Sequence, residues 1–222
     1  KTEKIVSRSA KKANYQSKYC DSDDNSQFTM LKKLELPKEW YKDLIQYAKE
    51  CKISFQSTAF DRESLDFLNG LNFNFFKIPS GEITNKPFLQ EISKLNRPVV
   101  LSTGMSCMKE ISDALTILTS RGLSRDDVTV LHCNTEYPTP MKDVNLKAML
   151  NIRDQMKVNI GYSDHTLGIE VPIAAVALGA RVIEKHFTLD RNMEGPDHAA
   201  SLEPSELKQM VISIRNIEMA IS

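Results

Sequence analysis

Short runs of β-branched and aromatic residues recur along this chain at intervals of roughly 20 to 30 residues, and helical patterns fill the gaps between them. The runs are Ile53 to Thr58, Phe75 to Ser80, Val99 to Thr103, Val128 to Cys133, Val158 to Ser163 and Arg181 to His186. Each is too short and too continuously apolar for a surface strand that alternates in and out. Strands of that kind, alternating with helices, predict a parallel sheet covered on both faces. The intervening helices carry their own signals. Lys38 to Cys51 follows Pro37 and sets Trp40, Leu44, Ile45 and Ala48 on one face. Met108 to Ser120 has Ser106 placed to cap it, a stripe of Ile111, Leu115 and Leu118, and Gly122 just beyond. The last helix starts near Pro204 and carries Leu207, Val211, Ile214, Ile217 and Ile221.

The pattern discriminates between α/β architectures. A doubly wound sheet could hold six strands, but its G-x-G-x-x-G fingerprint is missing and the chain has only 8 glycines. A TIM-type (β/α)8 barrel needs two more strands and typically about 250 residues. The stretch from Lys1 to Gln27 is mostly polar and reads as a long loop, and the cluster Phe28, Met30, Leu31, Leu34 and Leu36 is too irregular for a strand. The expectation is therefore a barrel of about six visible βα units, with its first two strands outside the chain.

Composition narrows the function classes. Lys plus Arg and Asp plus Glu balance at 29 each, so no global field favours nucleic acid or an anionic membrane. Cys20, Cys51, Cys107 and Cys133 are scattered with no C-x-x-C spacing, which disfavours a zinc ribbon or disulfide scaffold and suits a reducing cytoplasm. No apolar stretch approaches 18 residues and no signal-peptide pattern opens the chain. The expectation is a cytoplasmic protein with neither membrane nor nucleic-acid partner.

Every predicted strand ends in residues able to do chemistry, as the catalytic rim of a barrel requires. These ends read Ser57-Thr58, Lys77-Ile-Pro-Ser80-Gly81-Glu82, Ser102-Thr103-Gly104-Met105, His132-Cys133-Asn134-Thr135-Glu136-Tyr137, Ser163-Asp164-His165 and Glu184-Lys185-His186. Hydroxyls, a lysine and glycine-bearing turns ahead of helices are parts of a phosphate cradle. His165 and His186 close two adjacent strands, so their imidazoles should converge with carboxylates nearby, a donor set suited to a divalent metal. Other residues carry blander readings. Cys133 and Met105 are expected to pack, His132 is divided between packing and pocket lining, His198 is a loop residue near the rim, and Glu82 either pins its loop or meets substrate.

Together, Phe76-Lys-Ile-Pro-Ser-Gly-Glu82, Leu101-Ser-Thr-Gly-Met105, Leu131-His-Cys-Asn-Thr-Glu-Tyr-Pro-Thr-Pro140, Gly161-Tyr-Ser-Asp-His165, Glu184-Lys-His-Phe187 and Gly195-Pro-Asp197 make the chain resemble the sialic acid synthase family. The resemblance runs from Lys1 to Ser222. It implies a (β/α)8 barrel followed by a small antifreeze-like domain, homodimeric assembly, and condensation of phosphoenolpyruvate with an N-acylated mannosamine-type sugar. By the same resemblance, His165 and His186 hold manganese, which magnesium or cobalt can replace. Thr58, Lys77, Ser80 and Ser163 meet phosphoenolpyruvate, with Thr135 and Tyr137 lining the same region. Glu184 and Asp197 face the sugar, and Lys77, Glu184 and Asp197 are the expected catalytic groups.

Departures from the family pattern also carry expectations. The glutamate motif of the family's first strand, the Lys-Phe-Gln motif of its second and the antifreeze-like domain do not occur in this sequence, which predicts incomplete activity for the chain alone. Ala59 stands where relatives have proline, and Thr135 where some have asparagine. Two other readings stay open at this point: a barrel lyase forming a Schiff base on Lys77 or Lys185, and a fragment that only binds ligand.

Overall fold

The computed structural model describes residues 2–19 and 25–222; Lys1 and residues 20–24, which include Cys20, lie outside them. Ten α-helices occur among the described residues: α1 (Thr2–Ile5), α2 (Asn14–Tyr19), α3 (Gln27–Lys33), α4 (Trp40–Glu50), α5 (Arg62–Gly70), α6 (Lys86–Lys94), α7 (Met108–Thr119), α8 (Leu146–Met156), α9 (Glu170–Ala177) and α10 (Pro204–Ile221). The strands are β1 (Phe76–Ile78), β2 (Val99–Ser102), β3 (Val128–Cys133), β4 (Asn159–Asp164) and β5 (Val182–Lys185). All neighbours pair in parallel, in the order β1-β2-β3-β4-β5. A doubly wound sheet reverses its strand order at a switch point, whereas a barrel adds each new strand beside the last. This order is that of a barrel segment, an α/β half-barrel with its helices outside.

Five of the six expected strands form. Ile53–Thr58 is extended but joins no ladder; side-chain packing holds the segment, with Phe55 edge-on to Tyr41 at 5.7 Å and to Phe73 at 6.2 Å. The opening stretch is also not simply loop. It contains α1 and α2, and the apolar cluster read as irregular becomes α3, whose Thr29 N–H donates to the Ser26 hydroxyl at 3.2 Å. Helices this short persist only through tertiary contact. Here α1 packs on α3, and the Thr2 N–H donates to Glu35.

Two helical faces also need correction. Trp40 is exposed, and Tyr41, Ile45 and Ala48 form the inward face of α4. Along α10 only Met210 is buried, while Val211 and Ile221 point to solvent. The cap of α7 is Cys107, whose N–H donates to Glu110, and Ser106 does not serve.

The core lies between the sheet and α5 to α9. Val99, Leu101, Val128, Val130 and Ile160 from the strands meet Leu89, Leu115, Leu118 and Met149 from the helices. Truncating one such leucine to alanine typically costs 2–5 kcal/mol. Gly161 is required by strand spacing: a Cβ there would lie 2.4 Å from the Val182 carbonyl oxygen and 2.5 Å from Leu131 Cδ2. Its absence lets β5 close on β4, and the rim of those two strands carries most of the chemistry. No helix among the described residues is long and apolar enough to cross a membrane.

Candidate active site

The register of β4 against β5 is the starting point, because it pairs Ser163 with Glu184 and Asp164 with Lys185. Side chains alternate across a strand. Ser163 and Glu184 therefore share one face, and the hydroxyl donates to Glu184 Oε1 at 2.6 Å. The other carboxylate oxygen of Glu184 lies 3.4 Å from Lys77 Nζ, and Lys77 in turn donates to Ser102 Oγ at 2.8 Å. Four residues from β1, β2, β4 and β5 thus form one polar chain across the strand ends. A carboxylate expected to face the sugar sits among groups expected to hold phosphate.

Beside this chain, the Gly104 N–H donates to Ser80 Oγ at 2.9 Å, and Ser80 lies 3.4 Å from Cys133 Sγ. A Cβ on Gly104 would come within 2.7 Å of Thr135 Cγ2 and 2.9 Å of Ser80 Oγ. Ser80, Gly104, Cys133 and Thr135 therefore enclose a space a methyl group would fill. Cys133 packs as expected. Met105 does not: it adopts a φ of 62° and its side chain is exposed, because the turn after β2 swings it out to solvent.

One residue beyond the strands stand the two histidines, with ring centroids 5.3 Å apart. His165 is buried, and its Nδ1 is 2.8 Å from the Asn134 carbonyl. A carbonyl only accepts, so Nδ1 carries the proton and Nε2 presents a lone pair. Burial first, then the neighbouring His186, pushes the His165 pKa down to about 4, which keeps the ring neutral at pH 7. Tyr137 covers both imidazoles, with centroids 4.1 Å from His165 and 5.5 Å from His186. Asp197 Oδ2 lies 3.9 Å from His186 Nδ1. Two imidazoles, one in a fixed neutral tautomer, with a carboxylate alongside, fit a divalent cation that keeps open coordination positions for oxygen ligands. Among the described residues no set of three His, Cys, Asp or Glu side chains is already gathered as a cage.

Of the expected site residues, Lys77, Ser80, Thr135, Tyr137, Ser163, His165, Glu184, His186 and Asp197 are thus gathered at one rim. Thr58 stands apart. It lines a cavity of about 730 Å³ with Tyr41, Phe60, Ser64 and Phe67, none of them an expected site residue. His132 is structural: Nε2 meets the Val144 carbonyl at 2.9 Å and the ring packs on Tyr162. His198 bonds Thr188 Oγ1 at 2.7 Å, and Glu82 accepts from the Asn85 amide, pinning its own turn. Sequence reasoning missed Ser102 and the Asn134 carbonyl as working parts. Ser102 was visible as a strand-end hydroxyl, but a backbone carbonyl leaves no trace in a sequence. Neither lysine offers a free amine. Lys77 is bonded to Ser102 and Glu184, and Lys185 is buried against Asp164.

A family profile described as the NeuB family matches residues 1–222. The chain is 55% identical over 221 residues to N,N'-diacetyllegionaminic acid synthase of Campylobacter jejuni subsp. jejuni serotype O:2, covering 100% of this chain and 66% of that protein. It is 46% identical to the enzyme of the same name from Legionella pneumophila subsp. pneumophila, covering 100% of this chain and 62% of that protein. The crystal structure of N-acetylneuraminic acid (sialic acid) synthetase from Leptospira borgpetersenii serovar Hardjo-bovis, in complex with citrate, superposes with a TM-score of 0.83 at 32% identity, covering 94% of this chain and 72% of that one. The chain thus spans just under two thirds of the length of these two curated relatives.

Proposed function

We propose that this chain, which belongs to the NeuB family, forms the substrate-binding core of a synthase that joins phosphoenolpyruvate to an N-acylated mannosamine-type sugar, releasing phosphate and giving a sialic or legionaminic acid. In this reading the five strands are part of an eight-stranded barrel. Relatives at 46% and 55% identity favour the diacetyllegionaminic branch.

The observation that carries the reading is the contiguity of two unlike sites. Lys77, Ser102, Ser163 and Ser80 supply one cation and several hydroxyl donors, as a phosphate needs. His165 and His186 stand one rung away. In the proposed reaction C3 of the enol attacks the aldehyde carbon of the open-chain sugar and forms the C–C bond. Water adds at C2, and cleavage of the C2–O bond releases phosphate. Lys77 balances the phosphate charge and, with the hydroxyls, fixes the enol so that C3 faces the aldehyde. Glu184, between Lys77 and Ser163, orients both and is placed to exchange a proton with the water that adds. His165 and His186 would hold a manganese ion, whose contribution when bound is to polarise the aldehyde oxygen as a Lewis acid, worth several kcal/mol. Tyr137 shields the imidazoles from bulk water, and Asp197 is available to sugar hydroxyls.

The test is product identification. The chain extended to the full length of its relatives is incubated with phosphoenolpyruvate, Mn²⁺ and a panel of N-acyl hexosamines, with phosphate release followed and products weighed by mass spectrometry. The expected result is manganese-dependent phosphate release that requires both substrates. Consumption of no sugar in the panel would overturn the assignment. Borohydride trapping with pyruvate is expected to label neither Lys77 nor Lys185, since both amines are engaged.

A further inference from the structure

We propose that the buried Asp164–Lys185 pair is a positioning device that sets the distance between His165 and His186, and through it the affinity for the cation; this rests on the reading of those histidines as a shared cation site. Asp164 and Lys185 are each the residue immediately before a histidine, and they face one another in the β4–β5 register. Their side chains are 0% and 3% exposed, and Lys185 Nζ donates to Asp164 Oδ2 at 2.5 Å.

The remaining bonds of the pair converge on the far side of His165. Asp164 Oδ1 accepts the Thr166 N–H at 3.0 Å, and Oδ2 accepts the Thr166 hydroxyl at 3.0 Å. Lys185 also donates to the Thr166 carbonyl at 2.5 Å. One ammonium group therefore grips the chain both before and after His165, while its own backbone continues directly into His186. The turn cannot move relative to the end of β5 without breaking these bonds. A charge pair this deeply buried is not explained by stability alone, since apolar side chains of similar volume would serve as well or better. What it adds is a fixed geometry, at the one rung where geometry decides whether two rings share a ligand.

The sequence suggested another use for this lysine, as a Schiff-base amine. Its burial and its three-way engagement with Asp164 and Thr166 remove it from that role. Lys185 touches neither substrate site, so it acts through the histidines.

The experiment is a Mn²⁺ titration of the unaltered protein and of Lys185→Met, Lys185→Arg, Asp164→Asn and the D164N/K185M double variant, followed by the electron-spin signal of free Mn²⁺. Thermal melts are recorded alongside. Removing a group that orients metal ligands typically costs 10- to 100-fold in affinity. Lys185→Met is expected to raise the Kd for Mn²⁺ by at least about tenfold at temperatures well below its melt, and Lys185→Arg to recover part of that loss. A merely structural pair would lower the melting temperature and leave the Kd unmoved. Because Lys185→Met strands a buried carboxylate, it can fail to fold; the double variant removes both charges and is judged by the same criterion. Unchanged Mn²⁺ affinity in folded variants overturns this inference alone. No Mn²⁺ binding by the unaltered protein overturns the cation-site reading, and the inference with it.

Discussion

Ser163 donates its hydroxyl proton to Glu184 across the β4–β5 ladder at 2.6 Å, and the same carboxylate reaches Lys77 at 3.4 Å. Glu184 is thereby the link between strands that are not neighbours. The Glu184→Gln variant removes the charge that balances Lys77 while keeping the shape. Since the Glu184 side chain is 43% exposed, global stability should change little. Turnover should fall by roughly 10²-fold. Steady-state kinetics with each substrate varied, beside a thermal melt, checks the split, and wild-type turnover would show the carboxylate to be idle.

Replacing either His165 or His186 by alanine should abolish the proposed manganese dependence. If the cation supplies several kcal/mol, activity falls by roughly 10³-fold or more. His186 is only partly buried, so His186→Ala should fold normally and is the cleaner variant. Phosphate release as a function of Mn²⁺ concentration is the measurement. A residual rate that still saturates with Mn²⁺ would place the cation elsewhere.

Where these histidines lie was legible because strand ends are local. Val158 to Ser163 and Arg181 to His186 read as strands from their own residues, and parallel neighbours necessarily put both ends at one rim. Ile53–Thr58 misled for the complementary reason: its residues have the propensity of a strand, but a ladder is a pairing between two segments, which local propensity does not encode. The stripe on α10 was legible in part: Leu207, Ile214 and Ile217 are half-buried while Val211 and Ile221 are exposed, since periodicity marks an apolar face without saying how much of it is covered. Asp164 and Lys185 were the hardest to see. Charged residues at strand ends usually point to solvent, and only the register shows that these two neutralise each other inside.

The depressed pKa of His165 makes the metal-free protein sensitive to acid. Its folded value, about 4, lies below the unfolded value near 6.5, so between these limits the unfolded state binds more protons. Stability is therefore fully present above about pH 6.5 and is lost as pH falls toward about 4, by an amount on the order of 3 kcal/mol. His132, lowered by its own burial, adds in the same direction. Denaturant midpoints measured from about pH 7 down to about pH 4.5 should decline, and His165→Gln should flatten most of the slope. An unchanged slope in that variant would assign the acid lability to other groups.

Two glycines separate binding from folding. At Gly104 an added Cβ meets Ser80 Oγ at 2.9 Å, Thr135 Cγ2 at 2.7 Å and Cys133 Sγ at 3.3 Å, all of them side-chain atoms at the rim. Those atoms can give way, but Ser80 then loses its bond from the Gly104 N–H and its place in the proposed phosphate cradle. Gly104→Ala should raise the KM for phosphoenolpyruvate by about tenfold, the worth of one modest hydrogen bond, with kcat and melting temperature nearly unchanged. At Gly161 the added atom meets the Val182 carbonyl oxygen at 2.4 Å, and backbone in mid-sheet cannot step aside cheaply. Gly161→Ala should lower stability by about 1–3 kcal/mol. By pushing β5 from β4 it should also part Ser163 from Glu184 and lower kcat. Melts and kinetics on the two variants test the contrast. A Gly104 variant that melts early with an unaltered KM would make that glycine a packing residue and remove Ser80 from the cradle.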